Sequence, residues 1–309
     1  MESSTEKKRK KWPWIVGMIV VIILGLIVYG SIIYKDLTET AKQMHEPIER
    51  KVSDKRKESV AFTKKEPFSV LILGVDERSY DKGRSDTMIV MTVNPTSQST
   101  KMLSIPRDTY TEIIGRGVKD KINHAYAFGG IEMSMNTVEN LLDIPIDYVV
   151  QVNMESFKDI VDAIGGITVT NSLDFTSGNY TFPKGANTLG GDEALAYTRM
   201  RYEDPRGDFG RQDRQKQVIQ AVLREGATIN SLLNYKSIFG AIGKNIRTNM
   251  TFDEMVDVQA NYRDAVGHVD QLYMKEGQGK TIDGIWYYMM NNEELAAIRT
   301  VLRTHLELK

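Results

Sequence analysis

The chain contains no cysteine, which excludes disulfide bonds, thiolate metal sites and cysteine nucleophiles. It has only four histidines, scattered without the paired spacing of metal ligands, so a zinc site is not supported. An excess of one charge is also lacking, because 40 Lys and Arg residues nearly balance 41 Asp and Glu residues and the net charge is −1. No global positive field draws such a chain to nucleic acid, so we predict no nucleic-acid partner and expect any anion site to be local.

Several catalytic motifs are missing as well. The sequence has no G-x-x-x-x-G-K-[ST] loop and no G-x-G-x-x-G after a strand, so nucleotide hydrolysis and dinucleotide binding lack support. It has no G-x-S-x-G element, which argues against a Ser-His-Asp hydrolase. No repeat or low-complexity segment occurs, and a length of 309 residues suits one large domain with appendages or two small domains.

The N-terminal region has the pattern of a membrane anchor. A basic stretch at residues 7–11 precedes an uncharged apolar run of 19 residues, 15–33. At about 1.5 Å per residue, a helix of this length spans about 28 Å, close to the hydrocarbon thickness of a bilayer. We therefore predict a cytoplasmic tail over residues 1–14, a transmembrane helix over residues 15–34 and an exported remainder. A cleaved signal peptide is the alternative, and Gly30-Ser31 is then the candidate cleavage site.

The exported part divides into two regions. Residues 35–66 are polar and rich in charge, and Pro47 is their only helix breaker, so we predict a partly helical, solvated extracellular stalk. Residues 67–309 contain no stretch with the composition of a linker, so we predict a single domain.

The pattern from residue 67 onward indicates an α/β fold. Short continuous apolar runs are typical of strands buried on both faces, and they predict strands over residues 68–73, 87–93, 101–105 and 148–152, with a fifth beginning at residue 166. Amphipathic patterns predict helices over residues 131–142, 154–164, 211–227, 232–246, 251–263 and 293–306. Buried strands mixed with such helices argue for one three-layer helix–sheet–helix sandwich.

Two acids at the ends of the predicted strands are candidate metal ligands. Asp76 follows the first strand and Asp86 immediately precedes the second. Ligands of open α/β sheets gather at strand ends, and Mg²⁺ is typically held by one or two carboxylates together with water and phosphate oxygens. The alternative is that both acids cap turns and pair with neighbouring arginines.

Cationic and amide side chains accompany these acids. Arg84 lies two residues before Asp86, Arg107 and Asp108 follow the third strand, and Lys121 and Asn123 come next. Arg107 is expected to bind phosphate or, alternatively, to anchor its loop. Asp108 precedes a threonine, which is also a common pattern at the start of a helix. For Lys121 and Asn123, the sequence leaves a supporting role and a structural role equally open.

Residues 197–217 carry five arginines among a few carboxylates. Arginine is suited to bidentate binding of phosphate, and in an extended segment Arg199 and Arg201 project to the same side. A helix expected from Arg211 places Arg211 and Gln215 on one face, which continues into an apolar stripe. Cations in a first helical turn oppose the macrodipole by roughly 0.3–1 kcal/mol each, a cost that a bound polyanion would offset. The alternative is a solvated, salt-bridged helix start.

Together these elements resemble a known family. Five motifs occur in order, GRSDTMIV, SIPRDTY, KINHAYAFGG, IDYVVQVN with IVDAIGGITV, and LGGDEALAYTRMRYED with GDFGRQDRQKQVI. The set is similar to the LytR-CpsA-Psr family, and most similar to its teichoic-acid-attaching members from Gram-positive bacteria. The resemblance covers roughly residues 67–309, and a short cytoplasmic tail with one membrane helix fits the family too.

The resemblance implies a phosphotransferase that acts outside the cell at the membrane. Such an enzyme takes an anionic glycopolymer, for example wall teichoic acid, from an undecaprenyl-pyrophosphate carrier. It joins the polymer through a phosphodiester to a muramyl hydroxyl of peptidoglycan. The family also holds the prenyl chain in an apolar tunnel, for which the helices between residues 131 and 164 and between 232 and 246 are candidates.

The resemblance also assigns residue roles. It implies a Mg²⁺ site, with Mn²⁺ as the alternative ion, at Asp76 and Asp86. It implies pyrophosphate binding by Arg84, Arg107, Arg199, Arg201, Arg211, Arg214 and Gln215. It implies that Asp208 orients these arginines. Lys121 and Asn123 are expected to support the site, with a structural role as the alternative. Catalysis is expected from Asp86, Arg107 and Asp108, with either aspartate as the base that deprotonates the acceptor hydroxyl.

A second function class competes with the enzyme. A membrane-anchored regulator could bind polyprenyl-linked cell-wall precursors without turnover, but a mere binder does not need two acids that hold a metal at a scissile bond. A DNA-binding attenuator conflicts with the predicted export and with the net charge.

Overall fold

The described part of the chain mixes strands with helices, as the hydrophobic pattern predicts. A computed structural model of the chain describes residues 29–50, 52–76, 83–154, 157–226 and 235–308. The strands are β1 (Phe68–Val75), β2 (Ser85–Asn94), β3 (Ser99–Ser104), β4 (Tyr110–Ile113), β5 (Val118–Lys121), β6 (Tyr148–Asn153), β7 (Ile167–Asn171), β8 (Phe175–Ser177), β9 (Tyr180–Phe182), β10 (Gly185–Leu189), β11 (Ile246–Thr248), β12 (Val269–Leu272), β13 (Gln278–Ile282) and β14 (Ile285–Met289). The helices are α1 (29–44), α2 (His124–Leu142), α3 (Phe157–Ala163), α4 (Gly191–Arg199), α5 (Asp208–Gly226), α6 (Tyr235–Asn245), α7 (Phe252–Asn261), α8 (Arg263–Val266) and α9 (Asn292–His305).

Six strands form a central mixed sheet in the order β11-β6-β1-β2-β3-β12. Strand β1 pairs antiparallel with β2 and parallel with β6, and β3 pairs parallel with β12. The four continuous apolar runs of the sequence are β1, β2, β3 and β6, which are the four interior strands. An interior strand with helices on both sides of the sheet buries both of its faces, which explains its uninterrupted apolar run.

The fifth predicted strand forms but does not join this sheet. Strand β7 pairs with β10 in a separate two-stranded sheet, and its residues alternate between buried and exposed. The expectation that this run is buried on both faces is therefore wrong, because β7 packs only one of its faces.

Helices cover both faces of the central sheet. On one face, the sheet side chains pack against α2 and α9 through the cluster that contains Leu71, Leu73, Val90, Met135, Val138 and Leu302. On the other face, Ile89 and Met102 pack with Ile219 of α5, and Phe68 and Val93 pack with Tyr262. Burial of each such side chain stabilises the fold by roughly 1.5–3 kcal/mol, so the predicted α/β fold is confirmed, with helices on both sides of the sheet.

A second apolar core lies beside the sheet. It joins α3, α4, α5 and α6 to β7–β10 through side chains that include Val161, Ile167, Phe182, Tyr197 and Val218. Helix α5 contributes to both cores, since its Val218 packs here and the adjacent Ile219 packs on the sheet. Two packed sides fix the direction of α5, and the start of this helix carries part of the arginine-rich segment.

The predicted stalk, residues 35–66, is partly integrated into the domain. Arg50 Nη2 donates to Glu139 Oε1 at 2.9 Å, and Arg56 Nε donates to Asp147 Oδ1 at 2.8 Å. Burial raises the pKa of Asp147 above its ordinary value, although the Arg56 guanidinium opposes this. The expectation of a solvated spacer is corrected here, because these basic side chains neutralise acids that the domain has buried.

The described residues contain no helix with both the length and the apolar character needed to cross a membrane. The predicted transmembrane helix, residues 15–34, lies mostly outside the described residues, and the predicted cytoplasmic tail, residues 1–14, lies entirely outside them.

Replacement of Arg50 by Met is expected to destabilise the chain by about 3–5 kcal/mol, because a buried carboxylate would lose its counter-ion. The Glu139 side chain is only 7% exposed and also accepts a hydrogen bond from the Ile146 N–H. Urea unfolding of the full chain measures the change. Lys55→Met is the matched control, since Lys55 pairs with the half-exposed Asp143. This variant should lower the free energy of unfolding by less than about 1 kcal/mol. Equal losses in the two variants would contradict integration of this segment.

Candidate active site

The site begins where β1 ends and β2 starts. Because these strands are antiparallel neighbours, Asp76 and Asp86 lie at the same edge of the sheet, and the Asp76 N–H donates to the Arg84 carbonyl at 3.4 Å. Gly74 permits this geometry, since a Cβ there would lie 2.9 Å from Cβ of Thr87. The two predicted metal-binding acids are thus brought to adjoining positions.

Arg107 joins this edge from the end of β3. A tight turn follows the strand, in which the Thr109 N–H donates to the Pro106 carbonyl at 3.0 Å. The turn directs Arg107 toward the start of β2, where its Nη1 lies 2.9 Å from Asp86 Oδ1. Arg107 Nε also lies 3.7 Å from Asp108 Oδ2. A single guanidinium therefore links two candidate catalytic acids from different segments.

Lys121 and Asn123 complete this side of the site. Lys121 Nζ lies 2.6 Å from Asp108 Oδ1, and Asn123 Nδ2 lies 3.4 Å from Asp86 Oδ1. Asn123 is buried, and the described residues offer no hydrogen-bond partner to its Oδ1. The two residues that the sequence left open thus contact the two candidate bases.

The start of α5 supplies the facing acid and arginine. Helix α5 begins at Asp208, three residues before the predicted start, and Asp208 forms an ion pair with Arg211. Gln212 Nε2 donates to Asp208 Oδ2 at 3.0 Å. An acid in the first turn is favoured by the helix macrodipole and offsets the repulsion that the macrodipole exerts on Arg211.

Electrostatic coupling places Arg107 and Arg211 in one neighbourhood. Burial lowers the pKa of Arg211, and repulsion from Arg107 and Arg201 lowers it further, while the carboxylates of Asp208 and Asp86 oppose the change. Burial alone would also lower the pKa of Arg107, but nearby carboxylates outweigh burial and raise it. We call the set Asp86, Arg107, Asp108, Asp208 and Arg211 the site cluster.

Three further predicted arginines lie outside the site cluster. Arg84 lies in the connection before β2 and is exposed, and Arg199 is the exposed last residue of α4. Arg201 is half-buried, and its Cζ lies 5.8 Å from the centroid of the Tyr202 ring. Through its effect on the pKa of Arg211, Arg201 is linked to the site cluster.

Arg214 makes different contacts from those of the site cluster. It is only 3% exposed, its Nη1 donates to Asp204 Oδ2 at 2.7 Å, and its Nη2 donates to the Met200 carbonyl at 2.6 Å. The guanidinium also lies 5.3 Å from the ring centroid of Phe175. The structure therefore does not bring Arg214 together with Arg107, and the contacts of Arg214 are those of a residue that holds the arginine-rich segment in place.

The donor set at Asp76 and Asp86 fits the expected Mg²⁺. Two carboxylates on adjoining strands leave room for water and phosphate oxygens, and the buried Oδ1 of Asn123 offers a further oxygen beside Asp86. Over the described residues, no group of three or more His, Cys, Asp or Glu side chains could hold a metal by itself. Such a site would bind the ion together with a substrate.

Comparison with known proteins agrees with the motifs. Residues 31–304 match the LytR_cpsA_psr family. The chain belongs to this family. A Bacillus cereus polyisoprenyl-teichoic acid–peptidoglycan teichoic acid transferase TagU is 50% identical over 301 residues, 97% of this chain and 99% of that protein.

Solved structures of LytR-CpsA-Psr proteins share the fold. The crystal structure of Bacillus subtilis TagU has a TM-score of 0.65 at 53% identity and covers 79% of this chain and 99% of that one. The family protein YwtF (TagT) with bound octaprenyl pyrophosphate lipid has a TM-score of 0.69 at 30% identity, covering 85% of this chain and 100% of that one.

An apolar cavity of this LytR-CpsA-Psr chain adjoins the first residues of β2. Its lining includes Gly74, Thr87 and Gln215 together with Ile72, Val152, Met154, Phe157, Thr198, Val218 and Ile219. Gln215 therefore faces the cavity, on the same helix as Arg211. Of the segments named as tunnel candidates, residues 131–164 contribute Val152, Met154 and Phe157, of which only Phe157 lies on a helix. None of the described side chains of α6 lines the cavity. Helix α5 and the sheet form most of the wall.

Two features of the site escaped the sequence analysis. Asp204 is the buried partner of Arg214 and Arg206. The sequence feature that could have identified it is the position of an acid inside the arginine-rich segment. Strand β14 carries Tyr288, whose N–H donates to the Asp108 carbonyl at 2.9 Å. The sequence feature that marks this strand is the aromatic run IWYYM. A local pattern does not show that the run contacts residues about 180 positions earlier.

Proposed function

We propose that the chain is a phosphotransferase. It moves an anionic glycopolymer, such as wall teichoic acid, from an undecaprenyl-pyrophosphate carrier to a muramyl hydroxyl of peptidoglycan. The observation that carries this proposal is the arrangement of Arg107 and Arg211, which come from distant segments, beside the carboxylate of Asp86. The name of the TagU relatives and the lipid bound to TagT support the same substrate class.

The two ends of the donor suit different parts of the site. The prenyl chain suits the apolar cavity at Thr87 and Gln215, and the diphosphate suits the guanidinium groups of Arg107 and Arg211. Thr87 directly follows Asp86, so a lipid in the cavity would bring its diphosphate to the site cluster. Arg84, Arg199 and Arg201 would extend the positive lining toward the polymer.

The chemistry is an in-line displacement at phosphorus. The acceptor oxygen attacks the phosphorus on the sugar side, a new P–O bond forms, and the bond to the bridging oxygen breaks so that undecaprenyl phosphate leaves. Asp86 or Asp108 takes the hydroxyl proton, and both lie within reach of Arg107. Arg107 and Arg211 stabilise the negative charge that develops on the phosphate oxygens.

Asp76 and Asp86 would hold Mg²⁺, or Mn²⁺ in its place, with the Asn123 amide oxygen beside them. A bound ion would supply neutralisation of the diphosphate charge. Asp208 holds Arg211 in position through their ion pair, and the ion pair with Lys121 fixes the position of Asp108.

We place the enzyme at the outer surface of the cell membrane. The basic stretch at residues 7–11 and the apolar run at residues 15–33 support a single-pass anchor with a cytoplasmic N-terminus. This topology puts the catalytic domain on the side where peptidoglycan is found.

One assay tests the function. The full chain in detergent micelles is incubated with a synthetic undecaprenyl-pyrophosphate glycan, peptidoglycan oligomers and Mg²⁺. Transferase activity requires both polymer-linked product and released prenyl phosphate, each lost on chelation. Tight lipid binding without either product would instead identify a regulator of lipid-linked precursors.

Asp86→Asn is expected to lower transfer by about 10²–10³-fold, since the variant keeps the shape but loses the charge that faces Arg107 and the ion. A Mg²⁺ titration of the rate should show a higher half-saturating concentration. Asp159→Asn is the control and should keep both values, because Asp159 is exposed on α3 and accepts a hydrogen bond from Asn245. An unchanged metal titration in Asp86→Asn would remove Asp86 from the metal site.

A further inference from the structure

One tryptophan of the domain is held flat and open to solvent. Trp286 on β14 is 46% exposed. Its ring lies across Gly279 of the neighbouring strand β13, where a Cβ would come within 2.7 Å of the indole Nε1. The glycine thus lets the ring lie against the backbone, so that one ring face is covered and the other is presented to solvent.

The hairpin that carries this ring is attached to the active site. The Tyr288 N–H donates to the Asp108 carbonyl at 2.9 Å, and Tyr288 forms a parallel bridge with Thr109. In a parallel pair, residues that precede one partner lie beside those that precede the other. Trp286 therefore lies at the end of β14 that points toward Arg107.

Contacts on both sides fix the hairpin. The Tyr288 ring centroid lies 6.0 Å from that of Phe209, the residue after Asp208. On the opposite side, the Tyr287 ring packs edge-on against Tyr110, with centroids 4.8 Å apart. The strand is thereby held between two of the three segments that supply the site cluster, and the exposed ring has a fixed position relative to this cluster.

We propose that the open face of Trp286 binds a sugar ring of the acceptor glycan, an inference that rests on the proposed transferase function. The face of a pyranose ring that carries axial C–H groups is apolar and weakly positive, and it stacks on the negative face of an aromatic ring. The donor lipid suits the cavity at Thr87 and Gln215, which leaves the hairpin side for the second substrate.

Trp286→Ala in the full chain is expected to raise the KM for peptidoglycan oligomers about tenfold, since the sugar loses its stacking surface. The KM for the lipid donor should not change. The rate at which water hydrolyses the donor in the absence of acceptor, measured as released prenyl phosphate, should also stay the same. Trp286→Tyr, which keeps a flat ring, should restore most of the acceptor affinity. Gly279→Ala should reproduce the loss, because its methyl group would displace the indole.

Ile285→Ala is the matched control, since Ile285 is the preceding residue and is 47% exposed. An equal rise in acceptor KM for Ile285→Ala, or a rise in donor KM for Trp286→Ala, overturns the proposal. Loss of binding to anionic lipid vesicles by both variants, with acceptor KM unchanged, would assign the hairpin to the membrane instead.

A binding measurement separates this proposal from the proposed function. Saturation-transfer NMR with a peptidoglycan glycan oligomer reports sugar contacts without turnover. If the unmodified chain transfers nothing in the assay, the proposed transferase function is wrong. Weaker saturation of the glycan with Trp286→Ala than with Ile285→Ala would still support sugar binding at Trp286. Equal saturation in the two variants rejects it.

Discussion

Arg107→Ala is expected to lower glycopolymer transfer by about 10²–10³-fold while the fold remains intact. Arg107 links Asp86 and Asp108 and lies in the same neighbourhood as Arg211, so its loss removes the donor at the centre of the site cluster. Its loss should not leave an unpaired buried carboxylate, because Asp86 is 40% exposed and Asp108 keeps its ion pair with Lys121. Rates of product formation and a urea unfolding curve measure the two effects.

Arg107→Lys tests the geometry of this group. Lysine keeps the charge but lacks the planar fork that binds two oxygens in a fixed geometry, so transfer should fall between that of the alanine variant and that of the unmodified chain. Arg116→Ala is the control, because Arg116 lies over the Phe128 ring in the turn between β4 and β5. Near-normal transfer by Arg107→Ala would show that the arginine only anchors its loop.

Asp204→Asn is expected to destabilise the chain by about 3–5 kcal/mol, because it leaves a buried guanidinium without its counter-ion. The Asp204 side chain is 1% exposed and accepts from Arg214 Nη1 at 2.7 Å and from Arg206 Nη2 at 3.0 Å. Gly210 packs so closely that a Cβ there would overlap this carboxylate. The loss should appear as a lower urea midpoint and, because this segment joins Arg201 to Arg211, as weaker donor binding.

The same variant should change how stability depends on pH. Burial would raise the pKa of Asp204, but hydrogen bonds from Arg206 and Arg214 outweigh it and hold the pKa at about 2, below its ordinary 3.8. A lowered pKa contributes stability above about pH 4 that is lost as the pH falls toward 2. Urea midpoints over this range should depend less steeply on pH in Asp204→Asn, while the exposed control Asp192→Asn should follow the unmodified chain. Identical slopes in all three would contradict the buried pair.

Much of the central sheet could be predicted, because a strand that is buried on both faces appears in the sequence as a short, mostly apolar run. The runs that became β1, β2, β3 and β6 consist mostly of apolar residues, since each strand packs helices above and below. Strand β7 has a similar composition at its start but alternates in burial, and its partner β10 lies outside the central sheet. A short apolar run does not indicate which sheet it joins, because pairing depends on distant residues.

The site shows the same division. Arg211 and Arg214 are three residues apart on one helix and look equivalent in the sequence, yet only Arg211 lies with Arg107 and Asp86. Arg214 is enclosed by Asp204, Met200 and the Phe175 ring. The packing around α5 decides which arginine faces the site, and none of that packing is encoded in the spacing of the two residues.

The sequence by itself determined the family, the interior strands, the residue types of a phosphate site and the balance of charge that argues against nucleic acid. These follow from local composition and from ordered motifs, which need no knowledge of distant contacts. Only the tertiary structure decided that Arg107 binds Asp86, that Arg214 holds its own segment, that basic residues before residue 67 neutralise buried acids, and that Trp286 stands beside the site. Each of these depends on long-range packing, in which residues far apart in the chain share one small volume with a low effective dielectric.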